Sequence, residues 1–152
     1  MMVIQQEGGL GAGVFRDDDL LAYVIGFPKR NPAMQHSHRL AVLPHVRGIG
    51  WAAALKLFQH DWCLKLGIAV VRGTHDPMRH ANASLNIARR GAIVQTYYAD
   101  FCGAMEGINK GAPSDHLLTE WNLAGLGVVA RAGGGAAVLS KHDAGLQFRK
   151  TT

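Results

Sequence analysis

The stretch Leu40-Ala-Val-Leu-Pro-His-Val-Arg-Gly-Ile-Gly-Trp-Ala52 carries the strongest structural signal in the chain. Its apolar run ends at Pro44, which cannot donate to a strand ladder, and two glycines follow before a new apolar pattern begins. This order predicts a strand, a tight turn and the first turn of a helix. The first N–H groups of that helix lack intrahelical partners, no Ser, Thr or Asp caps them, and Arg47 adds positive charge. The turn therefore predicts an anion site that suits a pyrophosphate.

Upstream of this turn the sequence predicts strands. Residues 35–43 alternate in character, so that His36, His38, Leu40 and Val42 share one face. Three earlier segments also alternate or form short apolar runs bounded by Gly, Asp or Pro, and these are residues 2–6, 11–16 and 20–27.

Downstream, a helix is predicted over residues 50–66, because apolar residues recur at i, i+3 and i+4; they are Trp51, Ala54, Leu55, Phe58 and Trp62. The remaining chain predicts, in order, a strand at 68–74, a helix at 80–90, a strand at 93–98, a long loop at 103–114 and a strand at 116–123. The Gly-rich residues after Ala124 show little pattern. Strands with interspersed helices predict an α/β (α+β) fold built on a mixed sheet.

Composition limits the class of protein. The 152 residues, 48% hydrophobic and 18% charged, suit one packed domain. No apolar run reaches the ~20 residues of a membrane helix, and no signal peptide is evident. The two cysteines, Cys63 and Cys102, are too few for a disulfide scaffold. We therefore expect a cytoplasmic protein with reduced thiols and no membrane partner.

The net charge of +5 is unevenly distributed, since residues 124–152 contribute +3 of it. The rest of the chain shows no basic stripe with interleaved aromatic residues, so nucleic-acid binding is disfavoured. Gly48-x-Gly50-x-x-Ala53 also fits a dinucleotide-binding fingerprint, which leaves an NAD-dependent oxidoreductase as an alternative. However, strands precede this fingerprint, and the first acidic candidate after the next strand, Asp76, lies 28 positions after Gly48 where about 20 is usual.

The segment resembles the cofactor motif of the GNAT (GCN5-related N-acetyltransferase) superfamily, R/Q-x-x-G-x-G/A, as Arg47-x-x-Gly50-x-Ala52. The preceding L-x-V-x-P pattern is also present, and a second register begins at His45. The order of later elements is similar, and the chain looks closest to an uncharacterised subgroup of predicted acetyltransferases. That resemblance covers residues 2–123 and rests further on His36 to Pro44, on Asn82-Ala83 and on Asp115 to Leu123.

The resemblance implies a twisted, mostly antiparallel sheet in which strands 35–43 and 68–74 splay apart to admit the pantetheine of acetyl-CoA. It implies acetyl transfer to a primary amine acceptor, with acetyl-CoA as the co-substrate. The implied cofactor-binding residues are Leu40, Ala41, Val42, Arg47, Gly48, Ile49, Gly50, Trp51, Ala52 and Asn82.

The chain departs from the family at the catalytic acid, because Ile87 stands where many members carry Tyr. His38, His36 and Tyr97 are the candidate catalytic residues, and an imidazole can act as a base near neutral pH. His36 and His38 lack an evident third ligand, so we expect no metal. An alternative is a non-catalytic or degenerate GNAT-fold protein that binds acyl-CoA.

A second departure concerns the amino terminus, since the family begins with a strand and two helices that this chain lacks. Their loss predicts an open acceptor pocket and one unpaired sheet edge, through which a homodimer could form. We accordingly divide the chain into a shortened GNAT-like domain at 1–123 and a Gly-rich basic tail at 124–152.

Overall fold

The computed structural model describes residues 2–101, 103, 114–139 and 146–150, with only the backbone for residues 2, 3 and those from 133 onward. Its elements are α1 (Met2–Gln6), β1 (Leu10–Arg16), β2 (Asp19–Pro28), β3 (Met34–Val42), a 3-10 turn (Pro44–Val46), α2 (Trp51–Lys65), β4 (Val70–His75), α3 (His80–Ala83), a π-helix (Ser84–Arg89), β5 (Ile93–Tyr98), β6 (His116–Asn122), α4 (Leu126–Leu139) and β7 (Leu146–Lys150). Apart from its two end residues, the loop predicted at 103–114 lies outside the described residues, as does Cys102.

The strands form one seven-stranded sheet in the order β5-β6-β4-β3-β2-β1-β7. Every neighbouring pair is antiparallel except β3 and β4, which are parallel. A mixed, mostly antiparallel sheet with packed helices is the predicted fold class, and it is confirmed.

Helix α2 contributes to both parts of the core, because much of its circumference is buried. Trp51, Ala54 and Leu55 pack with β1 and β2, as the helical spacing predicts. Near the end of α2, Cys63 belongs to a second buried cluster, whose other members are Ile68, Val71, Ala92, Trp121, Leu123 and Val128. Trp62 contacts both clusters, so α2 joins the two halves of the sheet.

The strand predicted at residues 2–6 is wrong, because Met2–Gln6 is a helix. A five-residue pattern fits either the strand or the helix period. The positive φ of Gly8, 76°, then turns the chain, and the Gly9 N–H donates to the Ile4 carbonyl before β1 begins.

The segment after Ala124 contains a helix and a strand. Val128 of α4 is buried beside Cys63 and Leu123, and β7 pairs antiparallel with β1. Strand β1 is therefore paired on both sides, and β7 is the edge strand on this side of the described sheet. The homodimer through a sheet edge stays a prediction. The division at residue 123 stays a prediction of domain organisation.

Within the described residues, no helix combines the length and apolar character needed to cross a bilayer.

Candidate functional site

Strands β3 and β4 pair over only three residues each, Met34–His36 with Val70–Arg72, and then separate. A bulge in β3 lies at this point, because Ile25 of β2 faces Arg39 whereas Gly26 faces Ser37, leaving His38 as the extra residue. A bulge bends its strand and redirects the side chains around it. The sheet therefore opens where the sequence resemblance implied a splay.

A cavity of about 580 Å³ has three sides: the end of β3, the turn that precedes α2, and helix α3. It brings together nine of the ten residues predicted to bind a cofactor: Leu40, Ala41, Val42, Arg47, Gly48, Gly50, Trp51, Ala52 and Asn82. The tenth, Ile49, does not line this cavity and is 39% exposed.

The turn that borders this cavity depends on its glycines. Gly50, the residue before α2, has φ 113° and ψ 0°, a conformation open mainly to glycine, and Gly48 has φ 80°. No side chain caps α2, so its first N–H groups remain available to an anion. The Arg47 Nε donates to the Val42 carbonyl at 3.2 Å, which ties the guanidinium to the end of β3.

Three further basic side chains line the same cavity, namely Arg79, His80 and Arg89. None of the described residues that line it is Asp or Glu, although Arg79 pairs with Asp76 at 3.8 Å, so the lining carries a net positive charge. Sequence reasoning missed these residues, because only the fold brings the start of α3 and the π-helix opposite the turn at Arg47.

A smaller cavity of about 200 Å³ adjoins the first and shares Leu40, Asn82 and Leu85 with it. It lies under the splay, between β3, β4 and β6 on one side and α2 and the π-helix on the other. His38 lines it, as do two residues that the sequence analysis did not single out, Lys56 and His75.

The buried amine of Lys56 is held by a polar network. Its Nζ donates to Ser37 Oγ at 2.8 Å and to Gln59 Oε1 at 3.0 Å. Gln59 Nε2 in turn donates to Gln35 Oε1 at 2.6 Å. Burial lowers the pKa of Lys56 to about 8, a shift that the thiolate form of Cys63 would oppose. An amine with this pKa remains mostly protonated at pH 7.

His75 is 6% exposed, and its Nε2 has no hydrogen-bond partner among the described residues. Burial is the main cause that lowers its pKa, and the nearby His116 and Lys56 charges add to it, against Asp76. Burial therefore favours the neutral imidazole at pH 7, and the residue lines the smaller cavity.

The other two predicted catalytic residues lie outside both cavities. The His36 ring lies 6.0 Å from the His38 ring, and its pKa is lowered by burial, then by Lys29 and His38. Tyr97 is exposed on β5 and donates its hydroxyl to Asp115, which raises the pKa of the phenol. The described residues contain no group of three or more His, Cys, Asp or Glu placed to hold a metal.

Taken together, the splayed sheet and its two joined cavities define the fold of the GNAT acetyltransferases, and solved structures of that class match this chain. No family model and no curated protein sequence matches it. The IAA acetyltransferase from Bacillus cereus ATCC 14579 superposes with a TM-score of 0.65 at 15% identity, over 79% of this chain and 81% of that one. An acetyltransferase of Bacillus subtilis, solved in complex with CoA, gives 0.63 at 19% identity over 74% and 76%.

The ribosomal-protein-S18-alanine N-acetyltransferase from Escherichia coli gives a TM-score of 0.62 at 15% identity over 73% of this chain. This chain spans 66% of that enzyme, just under two thirds of its length. At these identities the likeness is one of fold.

Proposed function

We propose that this protein is an acetyltransferase that uses acetyl-CoA to acetylate a primary amine. One observation carries the proposal: the splay between β3 and β4 opens onto a large cavity with basic side chains, no acidic ones and an uncapped helix N-terminus. These are the features that a pyrophosphate requires.

The described residues suit the two parts of such a ligand. Gly48, Gly50 and the first N–H groups of α2 would hold the pyrophosphate, with Arg47, Arg79 and Arg89 supplying positive charge. The backbone of β3 beyond His36 has no partner in β4, so Leu40 to Val42 can offer N–H and C=O groups on that side to the pantetheine arm. A β3 N–H aimed at the thioester carbonyl would stabilise negative charge that develops on its oxygen.

The bound thioester supplies an activated acetyl group: the amine nitrogen forms a bond to the carbonyl carbon, the C–S bond breaks, and the thiolate takes up a proton. The chain must then remove one proton from the amine. His38 and His75 line the smaller cavity next to the predicted β3 binding segment, and either can act as the base. Ile87 has no acidic proton to donate, so the thiolate must take its proton from another group or from water.

A non-catalytic acyl-CoA-binding protein is the second candidate, and Ile87 at the usual acid position favours it. Both candidates require CoA binding, whereas only the first requires an acetylated product. The dinucleotide alternative requires NAD binding instead.

The test is a thermal-shift series with acetyl-CoA, CoA and NAD, followed by a screen of primary amines for acetylation. A ligand at 100 times its dissociation constant stabilises the fold by about 2.7 kcal/mol, or several degrees at this size. We expect shifts with acetyl-CoA and CoA only. A shift with NAD alone would support the oxidoreductase, and CoA binding without any acetylated amine would support the non-catalytic protein.

The variant Arg47→Glu tests the cavity assignment directly. We expect it to weaken CoA binding at least tenfold, because it replaces a cationic hydrogen-bond donor to the phosphates with a negative charge that repels them. The matched control is Arg16→Glu, which reverses the charge of an exposed residue on β1, two strands away from β3. It should leave CoA affinity unchanged. Equal affinities in both variants would show that the turn at Arg47 does not bind CoA.

A further inference from the structure

Lys56 is an unusual residue for its position, since it lies in the middle of a buried helix. It is 6% exposed and stands between Leu55 and Leu57, which are also buried. Both hydrogen-bond acceptors of its ammonium, Ser37 and Gln59, are uncharged. A buried charge is costly unless an opposite charge pairs with it.

No such opposite charge is present in the described part of the chain. Lys56 forms no ion pair there, and no Asp or Glu is among the residues that line the smaller cavity. An ammonium has three N–H donors, of which two are engaged. The third donor therefore has no hydrogen-bond acceptor among the described residues, and the charge has only the face of the Trp121 ring near it there.

A second donor points to the same kind of ligand. Trp121 is 5% exposed, its Nε1 has no hydrogen-bond partner among the described residues, and it lines the cavity beside Lys56. The Lys56 Nζ lies 5.9 Å from the centre of the Trp121 ring system. A buried indole N–H normally finds an acceptor.

Strands β4 and β6 form the sheet side of this cavity. Val71, Gly73 and His75 alternate along the same face of β4, with Trp121 and Thr119 of β6 opposite the first two. Gly73 contributes no side chain, and an added Cβ would come within 3.1 Å of the Ser37 carbonyl. Gly73 is therefore close to the Ser37 carbonyl, and His75, whose Nε2 has no hydrogen-bond partner among the described residues, lines the cavity farther along β4.

We propose that the smaller cavity is a carboxylate-binding site in which the Lys56 ammonium and the Trp121 indole N–H receive a carboxylate of the substrate. This inference deepens the proposed function, on which it rests for the molecule that carries the carboxylate. Pairing with a carboxylate would also offset the burial that lowers the pKa of Lys56. A substrate pair with no carboxylate on either the acyl group or the amine leaves both donors unpaired, so the site discriminates against such a pair.

The carboxylate can belong to the acyl group or to the amine acceptor, and two comparisons separate these sources. The first measures binding of succinyl-CoA and acetyl-CoA by calorimetry. The second measures KM for glycine and glycinamide with acetyl-CoA at saturation. A third comparison, succinate against succinamide by thermal shift, needs no CoA and therefore remains informative if the proposed function fails.

Lys56→Met keeps the length of the side chain and removes its charge, whereas Lys65→Met changes an exposed lysine on the same helix and is the control. Trp121→Phe removes the indole donor and keeps an aromatic ring, in case Lys56→Met does not fold. We expect wild type and Lys65→Met to favour the carboxylate at least tenfold in one of the first two comparisons, and to be stabilised more by succinate than by succinamide. Lys56→Met and Trp121→Phe should lose these preferences.

A preference for succinyl-CoA would assign the carboxylate to the acyl group, and one for glycine would assign it to the acceptor. The proposal is overturned if wild type shows no preference in any comparison, or if Lys56→Met and Trp121→Phe both retain it. Failure of every CoA ligand to bind, with the succinate preference intact and dependent on Lys56, would overturn the proposed function alone.

Discussion

His38 and His75 reach the smaller cavity from the two strands that splay apart, and they differ in environment. His38 is exposed on the bulge of β3, whereas His75 is buried at the end of β4. An exposed imidazole can exchange protons with water after each turnover, which favours His38 as the base.

We expect His38→Ala to lower kcat about 10²-fold, the usual contribution of a general base, and to leave CoA affinity unchanged. The control is His36→Ala, since His36 lies two residues away on β3 but outside both cavities. Steady-state kinetics and a CoA titration measure the two effects separately. An unchanged kcat in His38→Ala, together with a loss in His75→Ala, would transfer the role to His75.

The buried amine of Lys56 makes stability depend on pH. Its pKa is about 8 in the folded protein and near 10.5 in the unfolded chain, so the unfolded chain binds the proton more tightly between these values. Stability from this group therefore rises as pH increases through that window. We expect the free energy of unfolding of wild type, relative to Lys56→Met, to rise by up to about 3 kcal/mol between pH 7 and 10.5.

Urea denaturation of both proteins across this range checks the prediction. The comparison is needed because burial raises the pKa of Cys63 to about 12, so the thiol of the unfolded chain ionises first and lowers stability above pH 9. Both proteins contain Cys63, and its effect largely cancels in the difference. Parallel pH profiles would show that Lys56 is not buried as an amine.

At the scale of elements, predictability follows the length and regularity of the pattern. Helix α2 repeats its apolar spacing over four turns, and β3 ends at a proline, so both were predicted within two residues. The five residues of α1 fit either period, and the three glycines at 133–135 interrupt the pattern of α4. Each glycine destabilises a helix by about 1 kcal/mol relative to alanine, so helix propensity does not predict α4.

The cavity residues divide in the same way. The turn at Arg47 is a local feature and was predicted. Arg79 and Arg89 are distant from it in sequence, and only the folded structure brings them to the larger cavity. Lys56 did carry a signal: it shares a face of α2 with Gln59 and Cys63, and it stands between Leu55 and Leu57. A lysine that such neighbours bury needs a partner for its charge.

The turn before α2 gives a prediction of its own. Gly50→Ala should destabilise the protein by about 1–3 kcal/mol, because φ 113° is strained for any residue with a Cβ. Ala52→Ser, in the same turn but without a positive φ, is the control for stability. Thermal unfolding would show a Tm several degrees lower for Gly50→Ala. A Tm equal to that of the control would mean that the turn does not hold this conformation.

At the scale of the whole molecule, the sheet is completed from the far end of the chain. The resemblance implied that one edge of the sheet would be unpaired. Here β7 pairs with β1 over five residues, from Ala12 with Lys150 to Arg16 with Leu146. A strand from the region predicted to be a tail thus pairs with β1 and becomes the edge strand itself, with its own outward N–H and C=O groups.

Alternate N–H groups of an edge strand point toward its partner and away from it, which allows a matched test of β7. The variants Phe148→Pro and Arg149→Pro each remove one backbone N–H of β7; one of these N–H groups donates to a β1 carbonyl and the other faces outward. We expect the variant that loses the inward N–H to have a free energy of unfolding about 1–3 kcal/mol lower than the other variant, because a β1 carbonyl loses its donor. Urea denaturation of the pair measures the difference. Two variants as stable as wild type would mean that β7 does not pair with β1, and the open edge would then be restored as the site of self-association.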